Sequence, residues 1–465
     1  MAGNGRPGPV FGAKVALSRA IGAASRASGR GGGTTLPGRV LLRMEPEAIA
    51  RLGAGLDRGA TIVSATNGKT TTAGMLAGIL AADGRRPVHN RAGSNMTWGV
   101  ATALLEQRGD EGLFEVDEAW LPRVSEQIDP SLIVLGNLFR DQLDRYGEME
   151  ALADEWAKTV AARTGSTGFV LNADDPLIAD LGRDPEGARR EGVLYFGIED
   201  SSQALPELQH AFDAKHCRRC GHPYAYERAF VGHLGHYSCP SCGAERPVPE
   251  VAATAIELRG MDGSEVAVRT PQGEIRLQLP LPGLYNVYNA LAAVAAGLQL
   301  GVPPERIAAA LSEMRAAFGR VETIPVDGVP VSILLIKNPA GANEVLRTLR
   351  LEGGEGDGID LWIALNDRIA DGRDVSWIWD ADFELLAGAV RRVVCCGTRA
   401  PEMALRLKYA GWPEDAIEVV PGIAASLDAT VEGSPDRLFA LPTYTALLEL
   451  RKLLADRGLA EEFWR

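Results

Sequence analysis

The chain has 465 residues, of which 46% are hydrophobic, and a formal net charge of −13 at pH 7. This length exceeds what one hydrophobic core normally supports, so we expect two or three domains. The acidic balance disfavours a protein whose main task is to bind nucleic acid, because phosphate backbones require a basic surface. The most apolar helical stretch, residues 289–302, is too short for a membrane span and predicts a core helix.

Residues 1–57 are interpreted as a basic N-terminal segment, because seven Lys and Arg residues precede the first acid, Glu45. Lys14 and Arg19 interrupt any apolar stretch, so we expect no signal peptide and a cytoplasmic location. Two interpretations stay open. The segment is either a solvated basic arm or a tail that contacts an anionic surface, such as the inner face of the plasma membrane or a lipid-linked substrate.

Along the chain, residues 31–38 predict a loop or hinge and residues 46–56 have helical spacing. The next segments alternate between short buried strands and helices, which predicts a mostly parallel α/β sheet in a central domain, residues 58–319. A second alternation predicts a separate C-terminal α/β domain, residues 320–465. The strands are predicted at residues 60–65, 113–116, 132–135, 168–171, 331–336, 361–364 and 392–395, with a helix at 70–82.

The sequence ATNGKT at residues 65–70 lies between a predicted strand and a predicted helix, which is the context of a phosphate-binding loop. Gly68 allows close backbone approach, and Lys69 can neutralise phosphate charge. The Thr70 hydroxyl is a hard oxygen ligand suited to Mg²⁺. Val63 stands where the general motif has its first glycine, so this is a variant loop.

Carboxylates follow the strand predicted at 113–116. Ligands of open α/β sheets bind at the carboxyl ends of the strands. Glu115 or Glu118 is therefore a candidate ligand of a second Mg²⁺ beside the transferred phosphate; the alternative is a solvated acidic turn.

Residues 209–250 lack helical spacing and predict an inserted module. It contains two CxxC pairs separated by 18 residues, Cys217 with Cys220 and Cys239 with Cys242. This spacing is typical of a tetrahedral four-cysteine zinc ribbon, and a closed set of four thiolates predicts a structural metal. The neighbouring histidines are then spectators; they are His216, His222, His233 and His236.

Several segments resemble the Mur ligase family. They are ATNGKTTT from Ala65, NLFRDQLDR from Asn137, LNADDP from Leu171, GLYNVYNALAA from Gly283 and GRVE with Arg320. Gln142 and Tyr285 replace histidines that are usual in that family. The resemblance implies that ATP and Mg²⁺ bind to Asn67, Gly68, Lys69, Thr70, Thr71, Glu115, Glu118, Asn286, Asn289 and Arg320.

The cysteine module, the sequence KNPAGAN from Lys337 and the stretch at 365–380 resemble one branch, the MurT ligase subunits of lipid II isoglutaminyl synthases. This resemblance implies a P-loop central domain with an inserted zinc ribbon and a C-terminal α/β domain. It implies ATP-dependent amidation of the D-glutamate α-carboxylate of lipid II to D-isoglutamine through an acyl phosphate, in peptidoglycan and cell wall synthesis. It also implies a GatD-type glutamine amidotransferase partner, whose Cys-His pair Asp374 completes, and a role for Glu115 at the ATP site.

The residues themselves agree with this chemistry. A carboxylate must lose its charge and gain a leaving group before ammonia attacks it, which is a task of positioning and charge neutralisation. The chain offers no glutaminase of its own, since Cys395 and Cys396 are interpreted as core residues. Two alternatives stay open: an amino-acid ligase of the Mur or folylpolyglutamate type, and a zinc-ribbon nucleic-acid-binding ATPase, against which the charge argues.

Overall fold

The structure, a computed structural model, describes residues 8–27, 35–90, 94–141, 149–163, 165–210, 212–314, 322–352, 358–434 and 436–460. Within these ranges no helix is both long and apolar enough to cross a bilayer. The predicted ATP contact Arg320 and the substituted position Gln142 lie outside the described residues.

The first part of the chain is built on a mixed β-sheet. The strands of this part of the chain are β1 (Ala60–Ser64), β2 (Val88–His89), β3 (Gly112–Glu115), β4 (Leu132–Leu135), β5 (Gly168–Asn172), β6 (Val193–Ile198), β7 (Ala225–Val231), β8 (Leu234–Ser238), β9 (Val251–Leu258), β10 (Ser264–Thr270) and β11 (Gly273–Leu279). Among the described residues the large sheet is nine-stranded in the order β11-β10-β9-β6-β5-β4-β1-β3-β2, and β7 pairs with β8 in a separate hairpin. Neighbours from β2 to β9 are parallel, whereas β9, β10 and β11 are antiparallel.

Helices cover both faces of this sheet. They are α1 (Pro9–Ala27), α2 (Leu36–Met44), α3 (Ala48–Gly53), α4 (Lys69–Ala82), α5 (Thr97–Glu106), α6 (Leu121–Ile128), α7 (Met149–Arg163), α8 (Pro176–Ala179), α9 (Leu284–Gln299) and α10 (Pro304–Ser312). α9 is buried along most of its length, as predicted for a core helix. Alternating residues of the strands therefore enter two separate hydrophobic clusters, one on each face.

The second part of the chain forms its own sheet from β12 (Glu322–Val326), β13 (Val329–Ile333), β14 (Ile359–Ala364), β15 (Val390–Cys396), β16 (Ile417–Val419) and β17 (Leu438–Pro442). Its order is β12-β13-β17-β14-β15-β16, and only the β12–β13 pair is antiparallel. The covering helices are α11 (Pro339–Glu352), α12 (Ala400–Tyr409), α13 (Ile423–Glu432) and α14 (Tyr444–Asp456). Cys395 and Cys396 are fully buried on opposite faces of β15, which confirms that both are core residues.

The strands and helices predicted from apolar runs are confirmed to within about two residues at most ends, as is usual for element boundaries. The hinge predicted at residues 31–38 is wrong for its last three residues, which begin α2. Pro37 is compatible with the first helical turn, where its missing N–H needs no partner. At Gly38 an added Cβ would lie 1.9 Å from the carbonyl oxygen of Trp98, so the glycine permits close packing of α2 on α5.

The interpretation of the N-terminal segment as a solvated arm is wrong for its described residues. These residues include α1, α2 and α3, and α1 packs on α2 and α5. Lys14 Nζ donates to the carbonyl oxygen of Met44 at 2.8 Å and pairs with Glu45 at 3.1 Å. Arg26 pairs with Glu106 at 2.6 Å. These basic residues therefore hold α1 against the rest of the domain by ion pairs and hydrogen bonds.

Candidate functional site

The loop after β1 connects the centre of the large sheet to the N-terminus of α4. β1 lies between β3 and β4, so the loop emerges where connections leave the sheet in opposite directions, which is the usual place for a ligand. Gly68 has φ of +89°, and an added Cβ there would lie 1.9 Å from Asn289 Oδ1. Only glycine fits this position, because the backbone is left-handed and touches α9.

Two charged side chains meet inside the loop. Lys69 Nζ donates to Glu118 Oε2 at 2.7 Å, and both groups are buried. Burial opposes the charged ammonium, but the carboxylates of Glu118, Asp117 and Glu115 outweigh it and raise the pKa of Lys69. Burial likewise opposes the Glu118 carboxylate, but Lys69 and Lys337 outweigh it and lower that pKa. Both shifts favour the charged forms, so the two groups form an ion pair at neutral pH.

The second carboxylate lies beside the Thr70 hydroxyl. Thr70 Oγ1 donates to Glu115 Oε1 at 2.9 Å, and Glu115 ends β3 in register with Val63 of β1. The backbone of Glu115 is held by Asn90, whose amide bonds both its N–H and its carbonyl oxygen. A hydroxyl oxygen and a carboxylate oxygen at this separation are both suitable ligands for one Mg²⁺ ion.

Residues of the C-terminal domain complete the loop's surroundings. Asn67 and Asn338 exchange side-chain hydrogen bonds at 3.0 and 3.3 Å. Lys337 Nζ pairs with Asp141 Oδ2 and lies 3.4 Å from the carbonyl oxygen of Thr66. The KNPAGAN segment is distinctive in the sequence, but nothing in its pattern indicated a role for Lys337 or Asn338. Their position after β13 is the signal that could have identified them, because strand ends at this edge face the loop.

A cavity of about 100 Å³ extends from the loop towards α9. Asn286 and Asn289 line it, and Asn289 Nδ2 donates to Asn286 Oδ1 at 3.1 Å. Val231 and Leu234, at the tip of the β7–β8 hairpin, form part of its apolar wall. The cysteine module therefore contributes directly to the cavity, a contribution that the sequence did not indicate.

The described residues of the predicted nucleotide site thus lie together. They are Asn67, Gly68, Lys69, Thr70, Thr71, Glu115, Glu118, Asn286 and Asn289. They surround one loop at the carboxyl edge of the sheet. The arrangement can bind a nucleoside triphosphate, with charged groups at the loop and a less polar cavity beside it.

The four cysteines of the module are gathered at one point. Their Sγ atoms all lie within 4.8 Å of one another. A zinc–sulfur distance of about 2.3 Å implies sulfur–sulfur separations of about 3.8 Å in a tetrahedron. The Cys217–Cys242 and Cys220–Cys239 separations of 3.6 and 3.4 Å are close to that value. Backbone N–H groups of Cys242 and Ser241 lower the pKa of Cys239 to about 6. A backbone hydrogen bond with Ala244 lowers the pKa of Cys242, but burial and hydrogen bonds with the other three thiols outweigh it and raise that pKa to about 12.

Asp374 lies on the C-terminal domain, near Lys337 and Asn338, which also contact the loop. Its side chain is exposed and accepts a hydrogen bond from the Ser376 N–H at 2.8 Å, which lowers its pKa. It lines a small cavity with Arg140 and Lys337. Among the described residues that line this cavity, none is a cysteine or a histidine.

Comparisons with known proteins agree with this geometry. A family model described as Mur ligase middle domain matches residues 63–230, and one described as MurT ligase C-terminal matches residues 335–447. The chain is 32% identical to the lipid II isoglutaminyl synthase (glutamine-hydrolyzing) subunit MurT of Streptococcus pneumoniae, over 93% of this chain and 94% of that protein. It is 31% identical to the corresponding subunit of Staphylococcus aureus, over 95% and 97% of the two chains.

Solved structures show the same fold. A pseudomurein peptide ligase type C from Methanothermus fervidus superposes with a TM-score of 0.66 at 21% identity, covering 88% of this chain and 80% of that one. A MurF structure from Acinetobacter baumannii gives 0.64 at 21% identity, with 91% and 80% covered. At this identity the likeness establishes the Mur ligase-like α/β fold with its C-terminal domain.

Proposed function

The chain belongs to the MurT family of Mur ligase-like proteins, and from that premise we propose that it amidates the D-glutamate α-carboxylate of lipid II. The family members in Streptococcus pneumoniae and Staphylococcus aureus are named as subunits of a glutamine-hydrolysing lipid II isoglutaminyl synthase. The observation that carries the proposal is the meeting of Lys69, Thr70 and Glu115 at one variant phosphate loop. Such a loop activates a carboxylate and leaves the choice of nucleophile to other residues.

Activation would proceed by transfer of a phosphoryl group. A substrate carboxylate oxygen attacks the γ-phosphorus of ATP, the bond to the β-phosphate oxygen breaks, and ADP leaves. The neutral ammonia nitrogen then attacks the acyl carbon, phosphate leaves with the bonding electrons, and the nitrogen loses a proton to give the amide. Lys69 and Lys337 would neutralise charge on the phosphoryl oxygens, since both ammonium groups lie at the loop.

Mg²⁺ would be held by Thr70 and Glu115, whose oxygens are 2.9 Å apart. When bound, the ion neutralises the phosphate oxygens and fixes their direction. Glu118 has a different task in this proposal: it holds Lys69 until nucleotide binds, because the two groups are already paired at 2.7 Å.

Ammonia would come from a GatD-type glutamine amidotransferase subunit. The relatives' names include the word subunit, which supports a partner of this kind. Five residues after Asp374 in the chain, Trp379 contacts Tyr409 at 5.8 Å between ring centres, and their exposed fractions of 48% and 70% leave an apolar surface there. Asp374 would orient a histidine of the partner's active site, as a carboxylate does in a triad.

The four-cysteine module would bind Zn²⁺ as a structural ion. Four thiolates at tetrahedral separations leave no open coordination position for water, so we assign the metal no catalytic step. Its task would be to hold the β7–β8 hairpin against the nucleotide cavity, where Val231 and Leu234 lie.

A direct test uses the purified chain with ATP, lipid II and one nitrogen source at a time. We expect ammonium to support ADP release together with carboxyl-to-amide conversion, and amino acids to support neither. Ligation of an amino acid with no response to ammonium would favour the Mur-type alternative. DNA- or RNA-stimulated ATP hydrolysis without lipid II would favour the nucleic-acid alternative.

A further inference from the structure

A wide groove of about 590 Å³ lies between α2, the start of α5 and the turn before α6. Two tryptophans form its floor. Trp98 and Trp120 meet edge to face with ring centres 5.3 Å apart, and both are half-buried. Close packing of Gly38 against Trp98 fixes the distance between α2 and α5, so the width of the groove is set by the packing of these two helices.

Three arginines surround this floor. The guanidinium of Arg39 lies 5.8 Å from the Trp98 ring centre, and that of Arg123 lies 5.7 Å from the Trp120 ring centre. Arg43 lies one helical turn after Arg39 on the same face of α2 and also lines the groove.

The charge of the groove is not compensated locally. All three arginines are exposed, and none pairs with an acid in the part of the chain that the structure describes. No acidic residue is among those that line the groove. Uncompensated positive charge is unusual on a chain with net charge −13, which is why the groove is a candidate for an anionic ligand.

The groove adjoins the phosphate loop. A single 3-10 turn, Glu118–Trp120, has one end at each site: Glu118 pairs with Lys69, and Trp120 lines the groove. A ligand held in the groove would therefore have its attached groups close to the loop.

We propose that this groove binds the diphosphate of a lipid-linked substrate, with the two indoles and Leu36 against the first part of its apolar chain. Arginine forks bind phosphate oxygens with paired hydrogen bonds, and three forks suit a diphosphate. Indole rings are favoured where a polar headgroup meets an apolar chain, and Leu36 is 40% exposed beside them. The inference rests on the proposed function and extends it by assigning where the lipid end of the substrate is held.

Vesicle binding tests this without any catalytic step. The full chain is co-sedimented with phosphatidylcholine vesicles that contain a long-chain prenyl diphosphate. Control vesicles contain enough phosphatidylglycerol, in place of the prenyl diphosphate, to give the same surface charge. The wild-type chain should bind the prenyl diphosphate vesicles selectively. Arg39→Gln with Arg43→Gln, and separately Arg123→Gln, should each weaken that binding by roughly tenfold or more, as expected for lost charged hydrogen bonds.

Arg108→Gln is the matched control, because Arg108 is an exposed arginine of the same domain that makes no ion pair among the described residues. It should bind like the wild type, and thermal unfolding should show that all variants fold. Equal binding to both kinds of vesicle would overturn the proposal in favour of a general membrane contact, and unchanged binding by the arginine variants would overturn it outright. If the wild-type chain binds the prenyl diphosphate vesicles selectively but does not amidate lipid II, only the proposed function is wrong.

A kinetic measurement separates the groove from the nucleotide site. The arginine variants should raise the KM for the lipid-linked substrate by roughly tenfold while leaving the KM for ATP unchanged. They should leave the KM for a soluble muramyl peptide without diphosphate unchanged as well. An equal rise for both substrates would contradict recognition of the diphosphate.

Discussion

Arg246 Nε lies 2.6 Å from Asp174 Oδ1, and this buried ion pair joins the cysteine module to the turn after β5. Oδ2 of the same carboxylate accepts a hydrogen bond from the Tyr288 hydroxyl at 2.7 Å. Tyr288 lies on α9 between Asn286 and Asn289. Asp174 therefore connects the module to the helix that lines the nucleotide cavity.

Arg246→Met should lower the free energy of unfolding by about 3–5 kcal/mol, because it leaves the buried Asp174 carboxylate without its partner. It should also raise the KM for ATP, since α9 loses a fixed contact. Chemical denaturation and steady-state kinetics measure the two effects. Arg228→Met is the control, because Arg228 of the same module forms a more exposed pair with Glu227, and it should cost about 1 kcal/mol or less. If both variants lowered the free energy of unfolding and changed the KM for ATP by the same amounts, the connection through Asp174 would be no more important than an exposed ion pair.

Glu115 and Glu118 should give different results when each is replaced by glutamine. Glu115→Gln removes the carboxylate beside Thr70, so the Mg²⁺ concentration for half-maximal activity should rise by about tenfold or more. Glu118→Gln removes the group that holds Lys69, so ATP should bind at least as tightly as in the wild type. Magnesium titrations of activity and calorimetric titrations with ATP measure these effects. The assignment of the two acids is wrong if Glu118→Gln raises the magnesium requirement and Glu115→Gln does not.

Much of the fold could be predicted from the sequence because buried parallel strands are continuous apolar runs, as at residues 60–64 and 132–135. The phosphate loop and the four-cysteine site could also be predicted from the sequence, since short spacings fix their local geometry. The contacts of Lys337 with the loop and of Arg246 with Asp174 were not, because they join residues far apart in the chain. Such contacts depend on how elements pack, which no local pattern records.

Metal removal should change the reactivity of the cysteines in a fixed order. With metal bound, alkylation under native conditions should label none of the six cysteines. After chelation it should label the module, and the exposed Cys220 before Cys217 and Cys239, whose side chains are buried. Cys395 and Cys396 should react only after unfolding, since burial raises the pKa of both thiols. Mass spectrometry of alkylated peptides measures the order, and early labelling of Cys395 would contradict the structure.

Asp374→Asn should separate the two nitrogen sources. Glutamine-supported amidation by the complex should fall by roughly two to four orders of magnitude, because the partner's histidine would lose its orienting carboxylate. Activity with added ammonium should stay near that of the wild type, because Lys337, which lines both this cavity and the nucleotide cavity, keeps its ion pair with Asp141. Asp367→Asn is the control on the same loop; it pairs with Arg399 and should leave both activities unchanged. Equal loss with both nitrogen sources would place Asp374 in the ligase site or in folding.

The most direct test of the central claim follows the nitrogen atom. The chain, co-purified with its glutaminase partner, is given ATP, lipid II and glutamine labelled with heavy nitrogen in its side-chain amide, and the product is fragmented in a mass spectrometer. The account predicts heavy nitrogen in the α-carboxamide of the D-glutamyl residue, dependent on ATP and abolished by Lys69→Ala. Unmodified lipid II, or an added amino acid at that residue, would contradict it.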